Sequence, residues 1–143
     1  MTQVSFYTGV PDRLAYVCRL LRKAQQSGAR VGVCGPPASL RRLDAALWVF
    51  EPAEFVPHLN LSAAAADPMV AAATPILLIE HALNLGHREV LLNLGLEMPQ
   101  GFDQFQRLLE VVSQDAEQVQ AGRRRYRLYE ELGISVNHHK VSA

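Results

Sequence analysis

The feature that most constrains the fold of this chain is the alternation of short apolar segments with helical patterns. Segments 74–80 and 88–93 are almost continuously apolar, as strands buried on both faces of a sheet are. Segments 3–7 and 30–34 also predict strands, and 55–58 predicts a short extended segment. Because strands that alternate with helices form parallel sheets covered on both sides, we expect an α/β fold with a mainly parallel sheet flanked by helices.

Helix signals occupy the intervals between these segments. Asp12 is a suitable N-cap for a helix that ends before Gly28, and Ser39 is a suitable N-cap for one that runs to Trp48. Segment 102–112 is amphipathic in helical register and precedes a last helix that is rich in arginine and tyrosine. These patterns predict four helical segments around the sheet.

Length and composition predict one domain, residues 1–143, in a cytoplasmic protein. We expect no signal peptide and no membrane span, since no apolar run approaches about 20 residues. Cys18 and Cys34 lack a CxxC spacing and are predicted to be buried, reduced thiols. The alanine-rich segment 61–73 is predicted to be a mobile loop, and residues 138–143 a flexible tail.

The sequence offers little support for catalysis. The turn at 34–39 follows a strand, as a nucleotide-binding loop would, but its two prolines remove backbone donors and no lysine follows. Asp12 in the turn at 8–12 would repel a phosphate. No GxSxG motif is present, and the five histidines have no metal-ligand spacing: His58, His81, His87, His138 and His139. We therefore expect no catalytic residue, no metal and no cofactor.

The last helix carries the clearest candidate binding surface. At about 100° per residue, Arg123, Tyr126 and Arg127 share one face with Glu130. The opposite face is predicted to pack inward, and its members are Ala121, Leu128, Tyr129 and Leu132, with Arg125 among them. The basic face is either an ordinary solvated surface or a site for an anionic partner with an apolar group to bury.

A second candidate surface is aromatic. Trp48, Phe50 and Phe55 lie within eight residues of one another. They could pack in the core, as aromatic residues at helical spacing usually do. They could also anchor a partner protein, since tryptophan is enriched at interface hot spots.

Two blocks of sequence resemble the chi subunit family of bacterial DNA polymerase III holoenzyme. The first block is Leu43-Asp-Ala-Ala-Leu-Trp48 followed by Phe55-Val-Pro-His58. The second places Arg123, Arg125, Tyr126 and Tyr129 before Gly133 and Asn137. The order and spacing of these short motifs span most of the chain.

This resemblance implies a Rossmann-like three-layer domain without a functional nucleotide-binding loop. It also implies an accessory, non-catalytic subunit that bridges the clamp-loader complex, through the psi subunit, to the acidic C-terminal tail of single-stranded DNA-binding protein (SSB). Arg123 would pair with that tail and Tyr126 would help form an apolar pocket, while Arg127 is a candidate from the helix face that it shares with them. Trp48 and Phe55 match positions associated with psi or with an accessory DNA helicase. DNA contact would be indirect, through SSB.

The chain departs from the family pattern at two positions, and the sequence is also compatible with two other functions. Val119 stands where the family has a lysine, and Arg124 stands where a glutamate is familiar. The arginine face could bind single-stranded nucleic acid directly, although a formal net charge of zero argues against this. The third possibility is a nucleotide-binding α/β enzyme.

Overall fold

A computed structural model describes residues 2–50 and 55–141. All strands of its single seven-stranded sheet are parallel, in the order β3-β4-β2-β5-β6-β1-β7. This arrangement confirms the predicted α/β class. The elements are β1 (Gln3–Val10), α1 (Arg13–Gln26), β2 (Val31–Cys34), α2 (Pro37–Val49), β3 (His58–Asn60), α3 (Pro68–Ala73), β4 (Ile76–Ile79), β5 (Val90–Asn93), β6 (Arg107–Ser113), α4 (Ala116–Glu131) and β7 (Val136–Lys140), with 3-10 turns at Ala82–Asn84 and Phe102–Gln104.

Helices cover the two faces of the sheet. α1 and α2 pack on one face through residues such as Leu21 and Leu43, while α4 and the two 3-10 turns pack on the other through Tyr129 and Phe102. Successive residues of a strand point to opposite faces, so the central strands must be apolar on both. The result is a three-layer domain with one core on each side of the sheet.

The predicted helical register of segment 102–112 is wrong. Residues 107–113 form strand β6, and residues 108–112 are all buried. Apolar residues at 105, 108, 109 and 112 match a helical spacing, but a central strand that is buried on both faces produces the same spacing. α2 also begins at Pro37 rather than after Ser39, because proline is favoured in the first turn of a helix.

Two segments predicted to be irregular contain regular structure. Residues 68–73 of the predicted loop form α3, capped by Asp67, whose carboxylate accepts a hydrogen bond from the backbone N–H of Met69. Residues 138–140 of the predicted tail belong to β7, which pairs with β1. Residues 142 and 143 lie outside the described part. A largely exposed edge strand lacks the apolar run that identifies a central one, so its sequence resembles that of a tail.

A buried polar cluster joins α4 to the sheet. Glu110 of β6 is fully buried and accepts hydrogen bonds from Arg125 Nε at 3.1 Å and from the Tyr129 hydroxyl at 2.6 Å. Asn93 Nδ2 donates to the same carboxylate at 3.2 and 3.3 Å. Arg125 also donates to the carbonyl of Leu96 at 2.6 Å. These contacts fix both the position and the rotation of α4.

Burial and hydrogen bonding act in opposite directions on this cluster. Burial raises the pKa of Glu110, while the positive charge of Arg125 and the hydrogen bonds from Tyr129 and Asn93 act to lower it. Burial and the adjacent carboxylate raise the pKa of Tyr129, so its hydroxyl stays protonated and donates. Removing one member of such a cluster leaves its partners buried and unsatisfied, which costs more than the cluster contributes as a whole.

Breaking the buried ion pair should therefore destabilise the fold strongly. We expect Glu110→Gln to lower the free energy of unfolding by about 3–5 kcal/mol, because Arg125 is left buried without a counter-charge. The double variant Glu110→Gln/Arg125→Met should lose less than the sum of the single variants, as measured by urea unfolding. Arg124→Met, at an exposed neighbour, is the matched control and should change stability by less than about 0.5 kcal/mol. Strictly additive losses would contradict the coupling.

Candidate functional site

A cavity of about 760 Å³ opens between α4, β7 and the carboxyl ends of β1 and β6. This volume lies within the range of ordinary ligand-binding clefts. Its lining residues are Phe6, Thr8, Gly9, Val112, Ser113, Gln114, Val119, Gly122, Arg123, Tyr126, Arg127 and His138. The structure thus brings Arg123, Tyr126 and Arg127, the three residues singled out on the last helix, to one cavity.

Apolar side chains form much of the cavity wall. The Phe6 and Tyr126 rings meet edge to face with centroids 5.2 Å apart, and Val112 and Val119 complete the apolar surface. A Cβ atom on Gly122 would lie 2.9 Å from Val112 Cγ2, so glycine permits α4 to approach β6 closely. The wall can accept an apolar group at the base of the cavity.

The charges at the cavity are positive. Arg123 and Arg127 are exposed, and the lining residues, all within the described chain, include no aspartate or glutamate. Guanidinium groups bind carboxylates through paired, charge-assisted hydrogen bonds. Cationic groups beside an apolar wall favour a ligand that is both anionic and apolar.

Four further polar residues line the cavity and were missed from sequence, namely Thr8, Ser113, Gln114 and His138. Thr8 Oγ1 lies 2.6 Å from His138 Nε2, and the His138 ring meets the edge of Tyr126 with centroids 6.1 Å apart. Thr8 and His138 are brought here by the parallel pairing of β1 with β7, in which Phe6 is opposite His138. No local pattern connects positions 130 residues apart, so the sequence offers no signal for this pair.

The buried face of α4 lacks two leucines that the helical wheel placed on it. Leu128 and Leu132, predicted to pack inward, are 42% and 59% exposed. Ala121, Arg125 and Tyr129 are buried as predicted, and Gly122 joins them in the buried stripe. Arg125 turns inward because Glu110 lies beneath it, so one arginine of the basic cluster stabilises the fold and is separate from the cavity rim.

The aromatic pair Trp48 and Phe55 lies elsewhere, beside β3. Each side chain is 59% exposed, and the ring centroids are 5.2 Å apart. The buried His58 ring meets the Trp48 ring edge to face, with centroids 5.1 Å apart. His58 Nδ1 lies 2.7 Å from the Val56 carbonyl oxygen, and Nε2 lies 3.0 Å from Asp44 Oδ1. The core interpretation of Trp48 is therefore wrong, and we call Trp48 and Phe55 the aromatic patch. The third aromatic, Phe50, is half-buried and lies under the Arg22 guanidinium.

The turn after β2 borders a smaller cavity of about 280 Å³, where nucleotides bind in many α/β folds. Pro36 caps α2 and Pro37 is its first residue, so neither supplies an N–H to an anion. Burial raises the pKa of the Cys34 thiol to about 12, which keeps it neutral. Asn93 at this cavity already bonds Glu110, the Gly95 amide and the Glu97 carbonyl.

Residues 2–50 and 55–141 contain neither a cluster of metal ligands nor a membrane-spanning helix. This part of the chain holds no group of three or more His, Cys, Asp or Glu side chains arranged to bind a metal ion. None of the helices described there is both long enough and apolar enough to cross a membrane. Cys18 and Cys34 are buried and free of any disulfide.

Comparison with known proteins identifies the family of the chain. The sequence model of the family described as "DNA polymerase III chi subunit, HolC" matches residues 1–137. The chain is 36% identical to the DNA polymerase III subunit chi of Pseudomonas aeruginosa strain PAO1 over 152 aligned positions, which cover 99% of this chain and 98% of that protein. It is 33% identical to the DNA polymerase III subunit chi of Haemophilus influenzae strain Rd, over 77% of this chain and 74% of that protein. The chain belongs to the DNA polymerase III chi subunit family.

Proposed function

We propose that this chain is a cytoplasmic, non-catalytic accessory subunit of DNA polymerase III that binds the acidic C-terminal tail of SSB in the cavity beside α4. In this proposal the chain also binds a psi subunit and so connects the clamp-loader complex to SSB-coated DNA. The observation that carries the proposal is the meeting of Arg123, Tyr126 and Arg127 at one cavity with an apolar wall. Membership of the chi family supports the replication setting.

The chemistry of an acidic tail that ends in an aromatic residue fits the cavity. The aromatic side chain would pack on Phe6 and Tyr126, which already meet edge to face. The terminal carboxylate and the aspartates before it would pair with the exposed guanidinium groups of Arg123 and Arg127. Because the site is small, we expect an affinity in the micromolar range.

The aromatic patch supports a second protein contact. Trp48 and Phe55 present large apolar surface to solvent, and the His58 ring meets the Trp48 ring edge to face. Exposed, pre-positioned aromatic rings are typical anchors of protein interfaces. In the proposed function they bind psi, or an accessory DNA helicase in its place.

Direct binding of single-stranded DNA is the less favoured function. Tyr126 is half-buried against Phe6, and the overall formal charge is zero. Proteins of that class usually carry stacking platforms along a positively charged groove. Two prolines likewise argue against a nucleotide site at the turn after β2.

Loss of a single cavity residue should weaken tail binding without unfolding the protein. We expect Arg123→Ala and Tyr126→Ala each to reduce affinity for an acidic SSB-tail peptide by about tenfold or more, because each removes a direct contact. Fluorescence anisotropy with a labelled peptide measures the effect. Arg124→Ala is the matched control, since Arg124 is exposed on the same helix but does not line the cavity. Equal affinities for all three variants would place the site elsewhere.

Tail binding should weaken with salt. Raising the ionic strength from about 0.1 M to about 1 M shortens the screening length from about 10 Å to about 3 Å. We expect the dissociation constant of the wild-type complex to rise steeply over this range and that of Arg123→Ala to rise less. A salt-independent affinity would show that the charges contribute little and would contradict the proposed mode of binding.

Substitutions in the aromatic patch should affect binding of psi without affecting binding of the SSB tail. We expect Trp48→Ala or Phe55→Ala to weaken binding of a purified psi subunit by about 2–4 kcal/mol, as loss of an interface hot spot does, and to leave tail-peptide binding unchanged. Isothermal titration calorimetry measures both. Met69→Ala, at a side chain that is 81% exposed, is the control for loss of apolar surface away from the patch. Unchanged psi binding in both patch variants would exclude the patch from that interface.

A further inference from the structure

We propose that His138 and Thr8 act together as a protonation-dependent anion donor of the cavity, so that an acidic peptide binds more tightly as pH falls from about 8 to about 6. This inference rests on the proposed function, because it concerns the same cavity. It adds a residue pair from β7 and β1 to the cationic contacts from α4, and it makes affinity depend on pH. Arg123 and Arg127 are the permanent cations among the lining residues, all of which belong to the described chain.

The geometry already couples the two side chains. Thr8 Oγ1 and His138 Nε2 are 2.6 Å apart, and both residues line the cavity. His138 is further held by the edge of the Tyr126 ring. Because parallel pairing keeps β7 in fixed register beside β1, the pair is positioned before any ligand arrives.

Protonation reverses the direction of this hydrogen bond where the neutral imidazole carries its proton on Nδ1. In that tautomer, the Thr8 hydroxyl donates its only proton to Nε2 and has none left for a ligand. In the imidazolium, Nε2–H donates to Thr8 Oγ1, and the hydroxyl proton becomes free to donate to a carboxylate in the cavity. The proton that His138 takes up comes from solvent. Protonation thus supplies a positive charge and a hydroxyl donor to the same cavity.

The counter-charge for a protonated His138 has to come from the ligand, because the charged side chains that line the cavity with it are both cations. From α4, Arg123 and Arg127 line the cavity together with the phenol of Tyr126. β1 carries no charged residue, and on β7 the neighbours are His139 and Lys140. The His139 ring stacks on Tyr7 with centroids 4.9 Å apart, and Tyr7 packs with the α1 core on the other face of the sheet.

Two carboxylates near this cavity remain to be considered. Glu110 lies on the same rung of the sheet as His138, but it is fully buried and is already bonded to Asn93, Arg125 and Tyr129. Glu130 of α4 lies one turn beyond Tyr126 and is exposed, but it does not line the cavity. Without a carboxylate in the wall, the anion that a protonated His138 pairs with in the cavity is supplied by the ligand. Binding of an acidic peptide should therefore be linked to uptake of a proton by the protein.

Peptide titration at two pH values tests this linkage. The probe is a labelled peptide of several aspartates with a C-terminal phenylalanine, whose carboxylates are ionised throughout this range. We expect wild-type affinity to be about threefold to tenfold higher at about pH 6 than at about pH 8. His138→Gln should lose most of this difference, and Thr8→Val should lose part of it, because the hydroxyl donor is gone but the imidazole remains. Calorimetry in buffers of different ionisation enthalpy should show proton uptake in the wild type and none in His138→Gln.

His139→Gln is the matched control because it removes the neighbouring imidazole on the opposite face of β7. It should keep the wild-type pH dependence. Since His138 is exposed, its replacement should not unfold the protein, and the thermal midpoint verifies this. An unchanged pH dependence in His138→Gln overturns this inference alone. Absence of Arg123-dependent binding at both pH values overturns the proposed function and this inference with it.

Discussion

The buried carboxylate of Glu110 is the contact on which the candidate site depends. It receives hydrogen bonds from Arg125 and Tyr129, one helical turn apart on α4, and so fixes the rotation of that helix against the sheet. With those two side chains turned inward, Arg123, Tyr126 and Arg127 must point toward the cavity side. A buried ion pair is a weak source of net stability, but here its geometry determines which residues a partner can reach.

The same rung of the sheet connects this cluster to the cavity. Glu110 is opposite Phe6 on β1, and Phe6 is opposite His138 on β7. The Phe6 ring lies between the two helix tyrosines, with centroids 5.9 Å from Tyr129 and 5.2 Å from Tyr126. Glu110, Phe6 and His138 therefore lie side by side on the adjacent strands β6, β1 and β7. A shift of β1 would change the position of Phe6 relative to both of the others.

Local patterns predicted the layered fold and the α4 side of the candidate site. Continuous apolar runs identified the central strands β4 and β5, and the helical wheel grouped the two arginines and the tyrosine that line the cavity. Features that depend on pairing between distant segments were missed. The apolar residues of β6 have a spacing that also fits a helix, and the exposed residues of β7 are as polar as those of a tail. The buried partner of Arg125 is Glu110, which belongs to another element. Thr8 and His138 belong to the same class, because a parallel sheet brings together residues from opposite ends of the chain.

The strand order gives the two candidate surfaces a geometry suited to an adaptor. The aromatic patch lies beside β3 and the cavity beside β7, and these strands are the two edges of the seven-stranded sheet. At about 4.8 Å between neighbouring strands, the edges are about 29 Å apart. In the proposed function, peptides bound at the two surfaces would not compete for space, because the width of the sheet separates them. A protein that binds two partners at once needs this separation, whereas overlapping surfaces would make the partners mutually exclusive.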